Sequence, residues 1–506
     1  MKTKTIIFLI LITVTACKPR NKLNTNEQKL AAEIKTEEQE KQAAEEPLMQ
    51  NQISIPDTLP PGLGFNEDRS VDSKFPPKTI DVANLFNNKK SYKLSDLISN
   101  IEYIPLEDIP GDNHGILTEH TPFLTDNYLA IRDQGSLYLF NRDGTFRDVI
   151  YESIEEGGKT SHENSAGVTV NTSAGLTKGV FLDVWDIGNL LYFTYLDFKT
   201  EKYLLMRYDM DSPENNISVP THNERAQSTV KGEIYAKLSP KRKERYTEYV
   251  PLSNDSYVGI NRKVFSAKDG NLMTSFRLNG DTLTFFPDYE TVTNFSHRAM
   301  RGNFSQLMYQ YGKAFTFRNA FNDTVYRVIP PNRLIPVYVF NMGDYKIQTQ
   351  EGLTPGQDIS QKLYIKSFTE TTKYIYLNLI SGYDSYNNRA KKGIKVYYAI
   401  YEKLKGQLFL LPINPMSYYG ITDGVQNIYF QRGVINDIDG GLIFWPKKVS
   451  PKGEVYEVVT GEKLKMHVNS EEFINSLAPK NKKEELKKLA EKVGKDQLVL
   501  VVYKKK

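Results

Sequence analysis

The chain has 506 residues, of which 40 % are hydrophobic and 25 % charged, with a formal net charge of +4. These proportions describe a globular chain long enough for one large β domain or two ordinary ones. So small a charge over this length excludes the basic footprint of a nucleic-acid-binding protein.

The N-terminus carries an export signal. Lys2 and Lys4 precede an apolar run from Ile6 to Ile12, and Thr13, Val14, Thr15, Ala16 and Cys17 follow it. That is a charged region, an apolar region and small residues before a cut. The run falls well short of the roughly 20 residues of a spanning helix, so a permanent membrane span is the weaker reading. Val14-Thr15-Ala16-Cys17 resembles the bacterial lipobox, in which the cysteine thiol takes a diacylglycerol and becomes the mature N-terminus. Cys17 is the only cysteine, so no intrachain disulfide is possible. Acyl chains worth roughly 0.8 kcal/mol per buried methylene would make attachment effectively permanent. Lys18 stands where an aspartate often retains lipoproteins in the inner membrane, so the resemblance implies the outer membrane; the face stays open.

Residues 18–78 are expected to form a disordered tether. Asn26 to Glu46 is mostly Glu, Lys, Gln and Ala, and Pro56, Pro60, Pro61, Gly62, Gly64, Pro76 and Pro77 then oppose a packed element. A flexible linker of this length spans roughly 45 Å. Folding is expected from Thr79, as one domain over 79–506.

From there the chain repeats. Pairs of aromatic or β-branched strands recur at Asn127–Arg132 with Ser136–Asn141, Asn189–Leu196 with Tyr203–Tyr208, and Ser256–Asn261 with Leu272–Leu278. They continue at Lys313–Arg318 with Thr324–Val328, Lys373–Leu377 with Lys395–Tyr401, and Gly441–Trp445 with Glu454–Val459. Asp143-Gly144 and Gly280-Asp281 supply turns. A period of about 60 residues suits four-stranded sheets repeated around an axis, an all-β, six-bladed β-propeller; a pair of β-sandwiches is the competing architecture. Asn100–Glu107 precedes the first pair and is positioned to supply a strand to the last blade. At the C-terminus Ser470 can cap a short helix, Leu486, Leu489, Ala490 and Val493 form an amphipathic stripe ending at Gly494, and Leu498–Tyr503 reads as a buried closing strand. The expected helical appendix therefore covers about 470–494.

Asn322-Asp323-Thr324-Val325-Tyr326-Arg327, then Leu334 to Tyr338 with Gly343, and Asn436-Asp437-Ile438-Asp439-Gly440-Gly441 leading to Phe444-Trp445-Pro446, resemble stretches of the six-bladed, NHL-like propeller lipoproteins of Gram-negative bacteria. The resemblance runs from about Ile80 to the C-terminus and implies an envelope protein of mostly unassigned function. It departs from the family after Tyr151, where Glu155, Glu156, His162 and Glu163 replace a Gly-rich stretch. Asn322, Asp323, Thr324, Tyr326, Asn436, Asp437, Asp439, Gly440, Gly441, Trp445 and Pro446 are its motif residues, read as structural.

Catalytic motifs fail one by one. Gly157-Gly158-Lys159-Thr160 imitates the end of a P-loop, but Ser153 stands where its first glycine belongs. His162-Glu163 lacks the second histidine of a zinc protease, and Ser165 lies in no Gly-x-Ser-x-Gly elbow. Lys241-Arg242-Lys243-Glu244-Arg245 reads as a solvated loop. The histidines are scattered, so no metal cluster is legible and no cofactor is expected. Asp437-x-Asp439-Gly440 suggests calcium, yet Lys448 occupies the twelfth position of an EF-hand loop; turn stabilisation by Asn and Asp side chains is the plainer reading. Trp445 either stacks on a sugar or fills a core. The sequence thus points to a non-enzymatic binding or scaffold module, with an envelope protein, peptide or glycan as ligand. The alternatives are a hydrolase or lyase in the channel and a structural subunit of an outer-membrane assembly.

Overall fold

The computed structural model describes residues 76–109, 120–133, 136–151, 160–163, 169–172, 181–187, 189–197, 202–216, 218–220, 229–238, 248–253, 256–260, 271–287, 307–311, 314–329, 333–354, 357–383, 390–412 and 433–506. Cys17 and residues 18–75 of the expected tether lie outside them, as do Gly157 to Lys159 and Lys241 to Arg245, whereas Lys78, the last residue of that tether, already begins a strand. No helix among the described residues is long and apolar enough to cross a membrane.

Six antiparallel sheets follow one another along the chain. Blade 1 is His120–Leu124, Tyr128–Asp133, Ser136–Asn141 and Phe146–Tyr151. Blade 2 is Phe181–Ile187, Leu190–Asp197, Lys202–Asp209 and Glu233–Leu238. Blade 3 is Glu248–Ser253, Ser256–Ile260, Asn271–Arg277 and Thr282–Pro287. Blade 4 is Leu307–Tyr311, Ala314–Arg318, Thr324–Ile329 and Arg333–Asn341. Blade 5 is Tyr364–Glu370, Tyr374–Tyr383, Ala390–Glu402 and Gln407–Leu410. Blade 6 is Lys448–Val449, Val455–Thr460, Leu498–Lys505 and, from the other end of the chain, Ile98–Pro105. The protein is a six-bladed β-propeller.

What closes the ring is visible in the burial pattern. Along Leu498–Lys505, Leu498, Leu500 and Val502 pack with Phe140 and Ile131 of blade 1, whereas Val499, Val501 and Tyr503 pack with Tyr376 and Ile400 of blade 5. A strand covered on both faces is apolar at successive positions, with period-two alternation deciding only which neighbour each residue meets. The same device recurs around the ring, each pair of adjacent blades sharing an apolar cluster. Gly144 and Gly280 take positive φ (93° and 88°) at hairpin turns, as their glycine identity allows.

The N-terminal part of the described chain is a strap. Lys78–Asp81 lies parallel to the outer strand of blade 4, Tyr338 to Asn341. The strap then exchanges backbone hydrogen bonds with Leu410 of blade 5 and, through Leu94 of the one-turn helix α1 (Leu94–Leu97), with Ile435 before entering blade 6. It covers strand edges that would otherwise present unpaired backbone groups. Asn100–Glu107 was expected to close the last blade, and Ile98–Pro105 does so by pairing with Leu498–Lys505.

Five expected strand pairs are the second and third strands of blades 1 to 5. The sixth needs correction: Gly441–Trp445 is no strand, having one isolated bridge between Phe444 and Val434. Glu454–Val459 is the second strand of blade 6, and its third strand arrives only after an insertion of helices. After α2 (Thr349–Leu353), these are α3 (Gly461–Val468), α4 (Glu471–Ile474) and α5 (Lys480–Lys492). The expected appendix is thus an insertion within blade 6 and begins at Gly461, where Thr460 caps α3 by accepting from Lys463 N at 3.2 Å. Ser470 caps α4 as its sequence position implies.

Candidate functional site

Three buried charged residues, Arg327, Glu370 and Lys403, meet at the junction of blades 4 and 5. In Thr324–Ile329, Val325 and Arg327 share a face, and both are fully buried. An arginine there needs a partner, because an isolated buried charge is strongly penalised. Glu370, the last residue of the inner strand of blade 5, supplies it. Arg327 Nη2 donates to both carboxylate oxygens, at 3.1 and 2.9 Å. Lys403, in the turn after Ala390–Glu402, donates to Oε1 at 2.8 Å. Tyr309 donates to Oε2 at 2.5 Å and Tyr338 to Oε1 at 2.6 Å. Thr316 accepts from Arg327 Nη1. All four strands of blade 4 thereby converge on one carboxylate of blade 5, directly or through Arg327. The Tyr311 ring lies 4.8 Å from the guanidinium carbon and 4.6 Å from the Lys403 ammonium.

Burial pushes the Glu370 carboxyl upward, but the Arg327 and Lys403 charges outweigh it and hold it at about 2. Burial likewise opposes the Arg327 charge, and the Glu370 carboxylate reverses that effect. Burial and the same carboxylate raise the Tyr309 and Tyr338 hydroxyls far above the ordinary range, so both donate as neutral phenols. A carboxylate that accepts five hydrogen bonds and stays ionised in a dry interior is a strut. Proton transfer would require dismantling it.

The first motif sits beside this junction, at the turn between the second and third strands of blade 4. Asn322 Oδ1 accepts from Thr324 N at 2.8 Å, and Asp323 pairs with Lys346 at 2.5 Å. Tyr326 packs into the blade 3/4 cluster. The second motif lies apart from it, where the strap meets blade 6. Asn436 Nδ2 and Gly441 N donate to Asp439 Oδ1 at 2.7 and 2.8 Å. Asp437 accepts from Ser95 N and Oγ at 2.9 and 2.6 Å, holding the strap. His467 Nε2 of α3 donates to Gly440 O at 2.9 Å. Gly440 has φ +75°, and a Cβ at Gly441 would stand 2.4 Å from the Tyr103 hydroxyl. Burial raises the Asp439 carboxyl against the opposing hydrogen bonds of Gly441, Tyr103 and Asn436.

The two aspartates therefore face different partners. Among the described residues no group of three or more His, Cys, Asp or Glu side chains is arranged to hold a metal ion. Trp445 is 9 % exposed, edge-on to Tyr376 and Tyr398 at 5.5 and 4.8 Å, and donates to Asn378. Pro446 O accepts from Thr369 at 3.1 Å. Thr160, His162 and Glu163 fall in a described strand, Thr160–Glu163, while Ser165 lies outside the described residues. Sequence reasoning missed the Arg327, Glu370 and Lys403 cluster. The available signal was an arginine sharing the strand face of Val325.

Residues 60–470 match the family model described as a domain of unknown function, DUF4933. The chain belongs to this family. The match ends before α4, α5 and the strand Leu498–Lys505 of blade 6. Among curated proteins nothing matches the sequence. A protein of Bacteroides fragilis described as exported is similar at 14 % identity, over 85 % of this chain and 99 % of that one, with a TM-score of 0.48. The N-terminal domain of Nup159 is similar at 9 % identity over 76 % and 77 % of the two chains, with a TM-score of 0.29. A structural-genomics protein of unknown function from Bacteroides thetaiotaomicron is similar at 11 % identity over 70 % and 87 %, with a TM-score of 0.21.

Proposed function

We propose that this DUF4933 propeller is a lipid-anchored envelope protein akin to the NHL-like propeller lipoproteins. In this reading Cys17 carries the lipid, residues 18–78 are the tether, and residues 79–506 form a binding or scaffold module of the outer membrane. Its loops would offer a surface to an envelope protein, peptide or glycan. The observation that carries the reading is the use made of Glu370: the inner-strand carboxylate is saturated by Arg327, Lys403, Tyr309 and Tyr338 and serves to fix two blades. The motif residues from Asn436 to Gly441 join the strap, blade 6 and α3 in the same manner, a structural role for the motif.

Metabolic labelling with an alkyne fatty acid, followed by membrane fractionation, tests the anchor. The wild-type chain should be labelled and sediment with membranes, whereas Cys17→Ala should be unlabelled and soluble. Membrane retention of unlabelled Cys17→Ala would overturn the anchor. Affinity capture from the envelope tests the module: a stoichiometric protein or retained glycan supports it, and a solitary protein that turns over substrate would replace it with a hydrolase or lyase.

A further inference from the structure

Among the described residues the three most exposed large apolar side chains lie within one short stretch. Leu477 is 82 %, Met466 70 % and Ile474 58 % exposed. All belong to the insertion of blade 6: Met466 on α3, Ile474 ending α4, and Leu477 in the loop before α5. Their neighbours Phe473, Leu486 and Ala490 are buried in the blade 5/6 cluster, so the insertion already has a core. The outward residues are extra to it: Ile474 and Leu477 stand three apart in the chain, Met466 lies eight residues before Ile474, and so large an apolar exposure within twelve residues is what an interaction site would show.

The charge beside them selects an occupant. α5 carries six lysines, 480, 482, 483, 487, 488 and 492, against three glutamates, 484, 485 and 491. Lys483 donates to Ile474 O at 2.7 Å, which fixes an ammonium beside the apolar residues. Against them, α4 carries Glu471 and Glu472 beside Ile474, and α3 carries Glu462 with Lys463 and Lys465, so the basic bias comes from α5. Apolar side chains flanked by lysines match an anionic bilayer, whose acyl boundary takes the former and whose headgroups take the latter. The lipid-anchored reading fits this: a lipid on Cys17, 61 residues before Lys78 enters the ring, would hold the propeller near its membrane. Under such tethering a second contact needs little affinity of its own.

We propose that Leu477, Ile474 and Met466, with the lysines of α5, form a second, reversible contact with an anionic lipid surface. It rests on the lipid-anchored reading above, and two separate readouts keep the two apart. The acylated full-length chain carrying Leu477→Cys has one free thiol, since Cys17 is blocked by lipid. A fluorophore there is followed in vesicles of phosphatidylglycerol and phosphatidylcholine, with Leu404→Cys as the reference site. At Leu477 the label should lose at least threefold in iodide quenching and gain quenching by spin-labelled lipid, only when phosphatidylglycerol is present. Ile474→Glu should abolish both changes, with circular dichroism confirming the fold. Equal iodide quenching at both sites on vesicle-bound protein overturns the proposal, as does protection seen only in native envelope, which would indicate a protein partner. Flotation with vesicles of phosphatidylcholine alone, where the second contact is silent, reports the anchor independently: protein that fails to float there removes the lipid-anchored reading, whatever the label shows.

Discussion

Two blade junctions are held by ion clusters of nearly the same composition in opposite surroundings. Between blades 4 and 5, Arg327, Lys403 and Glu370 are 0 %, 3 % and 0 % exposed. Between blades 6 and 1, Arg142, Lys504 and Glu454 are 22 %, 35 % and 13 % exposed. Both carboxyls are pushed upward by burial and pulled lower by their cations. The difference lies in what each cluster risks. Water can replace a lost partner at the second junction, while at the first every group depends on the others.

Removing one member should separate them most. Glu370→Ala leaves Arg327 and Lys403 buried without a counter-ion and should cost about 3–5 kcal/mol in denaturant unfolding; a cost below about 1 kcal/mol would mean that water reaches the junction. Acid comes next. The folded Glu370 carboxyl lies below its ordinary 4.5, so its contribution is complete above that value and disappears as pH falls toward 2. The loss should approach roughly 3 kcal/mol, and an acid titration of stability in wild type and Glu370→Gln measures it. Tyr338→Phe, which removes one donor to a buried carboxylate, should cost about 1.5–3 kcal/mol. Glu454→Gln, at the wetter junction, should cost about 1 kcal/mol or less and lose its effect in high salt. Replacing Arg327, Glu370 and Lys403 by Met, Leu and Met together with Tyr309→Phe and Tyr338→Phe, so that no donor is left without its acceptor, should be smallest of all, near zero or stabilising, since desolvation is relieved with the attraction.

Much of this architecture was legible along the chain. The strand pairs of blades 1 to 5 declared themselves because their members are neighbours in sequence, rich in aromatic and β-branched residues, and pair antiparallel with the next strand along the chain. The closing role of Asn100–Glu107 could be inferred because a ring with an unfilled last blade needs a strand from the other end. Gly441–Trp445 misled for a physical reason: its apolar residues are buried by packing against blades 5 and 6 without ladder hydrogen bonds, and composition alone does not distinguish those two forms of burial. α3 was missed because its buried face, Leu464, His467 and Val468, includes a histidine whose partner, Gly440 O, is distant in sequence.

The candidate site was less legible. Arg327 stood in a quoted motif, but Glu370 follows it by 43 residues and Lys403 lies 33 beyond that. Nothing in a strand pattern assigns such partners. The turn from Asn436 to Gly441 was readable as a turn, since Asn and Asp bond to nearby backbone; that it also grips Ser95 and His467 was not.

By itself the sequence determined the all-β class and the repeat, because these depend on local composition and on periods of two and about sixty residues. Tertiary structure alone decided the pairing of Arg327 with Glu370, the insertion of helices within blade 6 and the path of the strap. Those depend on which faces meet once the ring closes, and the free energy of a buried charge is set by neighbours that the chain brings together only in three dimensions.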